Sequence, residues 1–351
     1  MSSPAIFQGD GQTYHADSCE PLKAAANRGA LDLYAWSRGS YPGLRLNEGE
    51  LDEIRSIGIW DAPYHQTWGL DRHCNEGIEF TYLARGQVAF GVDGKSWTLR
   101  QGYLTITRPW QFHYVGQPNI TASRLYWLIL DVNVRRPNQV WQWPDWMMLS
   151  EEELANLTNL LSHNEQPVWQ ANDSVARCFA RLADLLETQQ PQDSKTRLML
   201  TINELLLSMM DMLQQKRIPL DMHLTTSLRA VEMFLDNLQQ YIAYEWTLDE
   251  MARQCGLSRS QFSSYCKQIT NMTPIEYLNF CRVDTGAQLL LDDPERPITD
   301  IAYTCGFNSS QYFATVFRNY QGCSPRDYRL QHEGEEAPAP KARAIMAEQH
   351  A

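Results

Sequence analysis

His73, Glu79 and His113 bring two imidazoles and a carboxylate to the N-terminal half. Two imidazoles and a carboxylate suit a divalent metal such as iron or manganese; joined by the Arg85 guanidinium, they can equally bond the hydroxyls of a small polar ligand. Trp60, Trp68, Trp97, Trp110 and Trp127 crowd the same stretch, and aromatic faces stack on the C–H surfaces of sugar rings. Core packing accounts for such tryptophans equally well. The eight cysteines (Cys19, Cys74, Cys178, Cys255, Cys266, Cys281, Cys305, Cys323) have no C-x-x-C spacing, so they read as reduced, mostly buried thiols and not as a zinc site or disulfide frame.

A different chemistry is written into a repeat near the C-terminus. Ala252, Cys255 and Gly256 recur fifty residues on as Ala302, Cys305 and Gly306; the offset then becomes 51, pairing Phe262 with Phe313, Lys267 with Arg318, Pro274 with Pro325 and Tyr277 with Tyr328. Each copy reads as helix, tight turn, helix. Thr247 to Glu250 and Ser258 to Gln261 are capping boxes that open helices, and Gly256 and Gly306 supply the left-handed residue that stops one. A long helix from Pro274 to Leu291 bridges the copies. Two helices joined by a short glycine-containing turn form the helix-turn-helix, whose second helix enters the DNA major groove.

The elements that must position these groups fall into two domains, as 351 residues with 43% hydrophobic content allow. Short apolar runs broken by glycine (Ile78 to Leu83, Val88 to Val92, Tyr103 to Thr107, Arg124 to Val132), with a hairpin signal at Asp93-Gly94, predict a small antiparallel barrel or sandwich over 59–148. Residues 1–58 read as an extension without an assigned role. Helical periodicity takes over in 149–218, where Leu198, Ile202, Leu205, Leu206, Met209, Met212 and Leu213 form a stripe that suits either the protein's own core or a dimer seam. The double helix-turn-helix occupies 219–331, and 332–351 reads as a disordered tail. No run approaches the roughly 18 apolar residues of a membrane span and the N-terminus lacks signal-peptide blocks, so a cytoplasmic protein with no membrane partner is expected. The net charge of −12 argues against nucleic acid, and even 221–331 carries nine Lys and Arg against thirteen Asp and Glu. A DNA-facing surface must therefore segregate its cations.

Across about 225–330 the segments CGLSRSQFSSYCKQ, TPIEYLNFCR and ITDIAYTCGFNSSQYFATVFRNYQGCSPRDYR resemble the AraC/XylS family of bacterial regulators almost position for position. The resemblance implies a bipartite module that sets two recognition helices in successive major-groove segments of double-stranded DNA. By position it implies Ser260, Gln261, Ser264, Ser310, Gln311, Tyr312 and Thr315 as base-facing residues, with Lys267 and Arg318 on phosphates. Gln can read adenine bidentately. Family members often carry Arg where this chain has Ser264 and Thr315, which implies a different operator preference or weaker binding. Many members add a cupin barrel, and His73-x-Asn75-x3-Glu79-x6-Gly86, with Gly102 followed eleven residues later by His113, follows the cupin motifs with Asn in place of one His.

The implied fold class is two-domain α+β: an N-terminal cupin-like β-barrel with flanking helices and a C-terminal all-α double helix-turn-helix. The implied function is a DNA-binding transcription regulator, an activator by family weight. Its small-molecule effector, with a sugar as the working choice, is expected at His73, Glu79, Arg85, Trp97 and His113. A homodimer, and RNA polymerase as an activator's partner, follow from the same resemblance; no metal or cofactor is expected. The alternatives are a cupin metalloenzyme, an isomerase or dioxygenase with an accessory helical domain, and a purely structural interaction protein, which leaves the duplicated caps unexplained.

Overall fold

The computed structural model describes residues 5–332 apart from 10, 11, 18, 48, 189, 217 and 219; the expected disordered tail, past His332, lies outside the described residues. In chain order the first unit runs β1 (Ala5–Gly9), β2 (Gln12–Ala16), α1 (Glu20–Asn27), β3 (Asp32–Ser37), β4 (Leu44–Arg45), β5 (Ile54–Ala62), β6 (Leu70–His73), β7 (Ile78–Val92), β8 (Lys95–Arg100), β9 (Tyr103–Thr107), β10 (His113–Val115) and β11 (Ser123–Leu130). It continues with α2 (Glu151–Ser162), β12 (Val168–Gln170), α3 (Asp173–Thr188) and α4 (Pro191–Gln215). This unit ends at Thr225. Among the described residues, no helix is long and apolar enough to cross a membrane.

The fifteen-residue strand β7 organises the sheet. Its first half pairs antiparallel with β9 and β11, and its second half with β8 and β10. The change falls at Gly86, whose φ of +89° favours glycine and where a Cβ would come within 2.3 Å of the Ala122 carbonyl oxygen. The main run is β12-β9-β7-β11-β5-β3-β4, with β6 joined through β10. Its edges, β12 and β4, are three and two residues long and do not pair with each other, so the expected barrel is an open sheet folded over on itself. The expected extension is also corrected: β3 and β5 pair from Asp32↔Asp61 to Ser37↔Ser56, which draws residues before 59 into the sheet. The Asp93-Gly94 hairpin forms as read, both residues having positive φ.

One face of the sheet (Ile57, Ile59, Phe80, Leu128, Leu130) packs against α2, α3 and α4. The stripe Leu198, Ile202, Leu205, Leu206, Met209, Met212 and Leu213 is buried in that core, which settles its role as packing within the unit. Helix α4 begins at Pro191, four residues before the expected start, because proline suits the first helical turn. The other face encloses a second core of Trp60, Leu83, Phe90, Leu125 and Trp127, capped by Leu22 and Ala25 of α1.

The second unit is helical: α5 (Ser227–Asn237), α6 (Leu248–Gln254), α7 (Arg259–Thr270), α8 (Pro274–Asp292), α9 (Ile298–Thr304), α10 (Ser310–Gln321) and α11 (Pro325–Gln331). Helix α8 serves two cores. Its Tyr277, Leu278 and Cys281 join α5, α6 and α7, and its Val283, Ala287 and Leu290 join α9, α10 and α11.

Candidate functional site

In the second unit, the caps read from sequence build both helix pairs. Thr247 and Glu250 exchange bonds at the start of α6, and Ser258 and Gln261 do so at the start of α7. Ser309 accepts the Tyr312 amide at the start of α10. The turns between paired helices use Gly256 at φ +66° and Gly306 at φ +81°. Phe262, Cys266 and Ile269 point α7 into its core, while Phe313, Val316 and Phe317 do the same for α10. The opposite faces are open: Ser260, Gln261, Ser264 and Lys267 on α7, and Gln311, Tyr312, Thr315 and Arg318 on α10, are exposed, and Ser310 is half-buried. Their spacing of three to four residues keeps each set on one side of its helix.

Not every side chain is at liberty. Gln261 Oε1 accepts from the Ser258 amide at 3.2 Å and the Ser258 hydroxyl at 2.9 Å. Bidentate reading of adenine needs that oxygen, so Gln261 serves here as a cap. Thr315 donates its hydroxyl to the Gln311 carbonyl at 3.0 Å, leaving its oxygen lone pairs to accept. The Tyr312 ring stands edge-on to Phe307 with its centroid 5.8 Å away. The cations of this unit differ in how they are held. Arg259 pairs with Asp249, Arg229 with Glu232, and Arg282 is buried, whereas Arg253, Lys267, Arg318 and Arg326 are exposed and form no ion pair among the described residues. Sequence reasoning passed over Gln268 and Asn319, each one residue beyond the phosphate candidate of its helix and exposed.

In the first unit, a cavity opens in the core between the folded halves of the sheet, lined by His73, Asn75, Glu79, Thr81, Tyr41, Cys19, Trp60 and Trp127 among others. About 30 Å³ of it is open to the centre of a water-sized sphere, room for about two waters. His73, Glu79 and His113 do come together, because strand register sets His113 of β10 opposite His73 of β6. The two rings lie 4.3 Å apart, and His113 Nε2 is 2.9 Å from Glu79 Oε2. The His113 Nδ1–H donates to the Gln111 carbonyl at 3.0 Å. The Nε2 contact with Glu79 lacks the alignment of a hydrogen bond, so what it supplies is a buried carboxylate beside the ring, which favours the protonated imidazolium. Burial disfavours that charge, but Glu79 outweighs it and raises the His113 pKa. Burial likewise opposes the Glu79 charge, yet His113, His73 and the Asn75 amide together hold it below the usual carboxylate range. His73 is pushed down by burial and then by the His113 charge.

Glu79 is also held by Asn75 Nδ2 at 2.8 Å and the Thr81 hydroxyl at 3.2 Å, so both of its oxygens are occupied. Among the described residues, no group of three His, Cys, Asp or Glu is placed to hold a metal ion. Of the five expected ligand residues only His73 and Glu79 line the cavity; His113 adjoins it through Glu79, and the other two lie elsewhere. Arg85, at the exposed bend of β7, pairs with Asp61 at 2.6 Å, and Trp97 of β8 packs on Phe90 with ring centroids 6.1 Å apart; neither lines the cavity. Trp60 and Trp127 do line it, each with its indole N–H held by a serine, Ser123 and Ser56 respectively. Tyr41, unassigned from sequence, donates its hydroxyl to Glu76 at 2.5 Å and lies 3.1 Å from Asn75 Oδ1.

A family model described as a helix-turn-helix domain matches residues 251–331. The HTH-type transcriptional activator RhaS of Escherichia coli O81 (strain ED1a) is 28% identical over 267 residues, spanning 75% of this chain and 88% of that relative. RhaS of Escherichia coli strain SMS-3-5 is 33% identical over 185 residues, 52% of this chain and 65% of the relative. Among solved structures, the C-terminal domain of AraT, a response regulator from Geobacillus stearothermophilus, covers 32% of this chain and 90% of its own at 28% identity, with a TM-score of 0.29. An apo ToxT variant from Vibrio cholerae covers 78% and 96% at 15% identity, with a TM-score of 0.34.

Proposed function

We propose that the helical C-terminal third is an AraC-type double helix-turn-helix and that the protein is a cytoplasmic transcription activator whose two recognition helices read adjacent major-groove segments. The observation that carries this is the duplicated polar face: Ser264 and Lys267 of α7, and Gln311, Thr315 and Arg318 of α10, stand exposed over two apolar cores joined by one helix. Ser, Thr and Gln suit base edges, and Lys267 and Arg318 suit phosphates that fix register. The test is selection of duplexes from a random-sequence pool by the full chain. A shared sequence with two half-sites supports the assignment, and recovery of unrelated sequences refutes it. The relatives being activators supports that sign and RNA polymerase as a partner.

The same reading places a small, hydroxyl-bearing effector against His73, Asn75 and Glu79, with Trp60 and Trp127 as apolar walls. Room for about two waters is less than a sugar needs, so binding must displace part of the wall; that displacement is what a ligand-dependent regulator requires, since a ligand shifts an equilibrium only through unequal affinity for its states. Calorimetry of the full chain against a panel of sugars tests the ligand class, and heat for none of them removes it. The metalloenzyme alternative would show stoichiometric iron or manganese in the purified protein.

Self-association is assigned to the outer face of α4. Arg197, Leu200, Glu204, Leu207 and Asp211 are exposed there, although Leu200 and Leu207 are apolar. An antiparallel second copy brings Leu200 against the partner's Leu207 and Arg197 against the partner's Asp211 about one twofold axis; Glu204 falls near that axis, its charge met by Arg181 of its own chain.

A further inference from the structure

The two apolar cores of the second unit are separate clusters, and the residue of α8 between the last member of one, Cys281, and the first of the other, Val283, is Arg282. A buried guanidinium at that place needs an account. Its Nε donates to the Ile242 carbonyl at 3.1 Å and a terminal nitrogen to the Tyr244 carbonyl at 2.8 Å, both in the segment that leads into α6. Its planar face lies 5.7 Å from the ring centroid of Phe307, in the turn between α9 and α10. At Gly306, in the same turn, a Cβ would come within 2.6 Å of the Ile242 oxygen and 2.9 Å of the Arg282 guanidinium. One side chain thus touches the approach to the first helix pair and the turn of the second. A second tie joins α10 to the first half of α8, where the Tyr320 hydroxyl donates to the Glu276 carbonyl at 3.0 Å.

We propose that Arg282 is a positioning residue that sets the distance and angle between the two recognition helices. Guanidinium suits this place because one rigid plane serves two carbonyls and an aromatic ring together, which neither an ammonium nor a thioether can do. With Arg282 lost, each helix pair keeps its own core and caps, and only the joint loosens. Tyr320 keeps the halves attached, so the expected change is a wider spread of distances.

The consequence for operator spacing rests on the DNA-reading function, but the distance itself is measured without DNA. In the full chain, spin labels on p-acetylphenylalanine at Gln268 and Asn319 report the separation of α7 and α10 by pulsed electron resonance. The starting protein should give one narrow distance, Arg282→Met a distribution about twofold wider, and Arg282→Lys an intermediate width. A distribution for Arg282→Met equal in mean and width, with helical content retained, overturns the proposal. Should that variant lose helical content, Arg282→Lys decides the matter, and an unchanged distribution there overturns it as well. On a duplex selected by the starting protein, insertion of one base pair between half-sites should cost that protein more affinity than it costs Arg282→Lys. Equal losses count against the joint, whereas failure to select any duplex counts against DNA reading and leaves the distance result standing.

Discussion

If Lys267 and Arg318 hold phosphates, replacing both with alanine should flatten the salt dependence of DNA binding by a calculable amount. Both side chains are exposed, form no ion pair among the described residues, and follow the base-facing residues of α7 and α10 by about one turn. Each phosphate neutralised contributes about −0.9 to the slope of log K against log salt, so losing two flattens it by about 1.8. Over a fourfold rise in salt, from about 50 to about 200 mM, that is about a 12-fold smaller loss of affinity than the unaltered protein suffers. Fluorescence anisotropy on a selected duplex at four or five salt concentrations reads both slopes. Ser264→Ala serves as the control, because it should change sequence preference and leave the slope alone. An unchanged slope in the double variant would refute the phosphate assignment, whatever happened to affinity at a single salt concentration.

Ser264→Arg should shift the selected sequence toward guanine at the position under α7, since Arg pairs bidentately with guanine; an unchanged preference counts against α7 as a base reader. Gly306→Ala should destabilise the second unit by at least about 1–2 kcal/mol, from the left-handed backbone alone, before the approach to Ile242 is added. Unchanged thermal unfolding would contradict that. The His113 pKa is raised in the folded protein, so its pairing with Glu79 contributes stability in full below the unfolded value of about 6.5, and that contribution fades as pH rises through the folded value. The gap in urea midpoint between the unaltered protein and His113→Gln should therefore narrow as pH rises above the unfolded value, read by tryptophans that nearly all precede residue 226; a gap that widens refutes the pairing. Leu200→Glu combined with Leu207→Glu should halve the mass seen by sedimentation if α4 mediates a dimer, and an unaltered mass removes α4 from that role.

What was legible in the sequence was local. Capping boxes and glycine turns act within four residues, so α6, α7 and the turns at Gly256 and Gly306 could be read directly, and the offset between copies doubled the signal. The cavity depends on distant partners. Tyr41 reaches Asn75 across 34 positions, and nothing in the local pattern of residues 1–58 marks it. Arg85 misled because it sits beside Gly86, where β7 bends and exposes its side chain to Asp61 of β5, a register that no period-two pattern discloses. Gln261 misled differently: one residue type serves both a capping box and a base contact, and the structure shows its oxygen already taken. The apolar stripe of α4 left own core and partner equally open until the sheet was placed against it.

Hydroxyl-radical footprinting of the full chain on a selected duplex tests the central claim most directly. Two recognition helices reading successive major-groove segments predict two protected patches on one face of the duplex, about 10 base pairs apart, with protection in the first lost selectively by change at Ser264 and in the second by change at Thr315. A single patch, or two that respond alike to both substitutions, would contradict it.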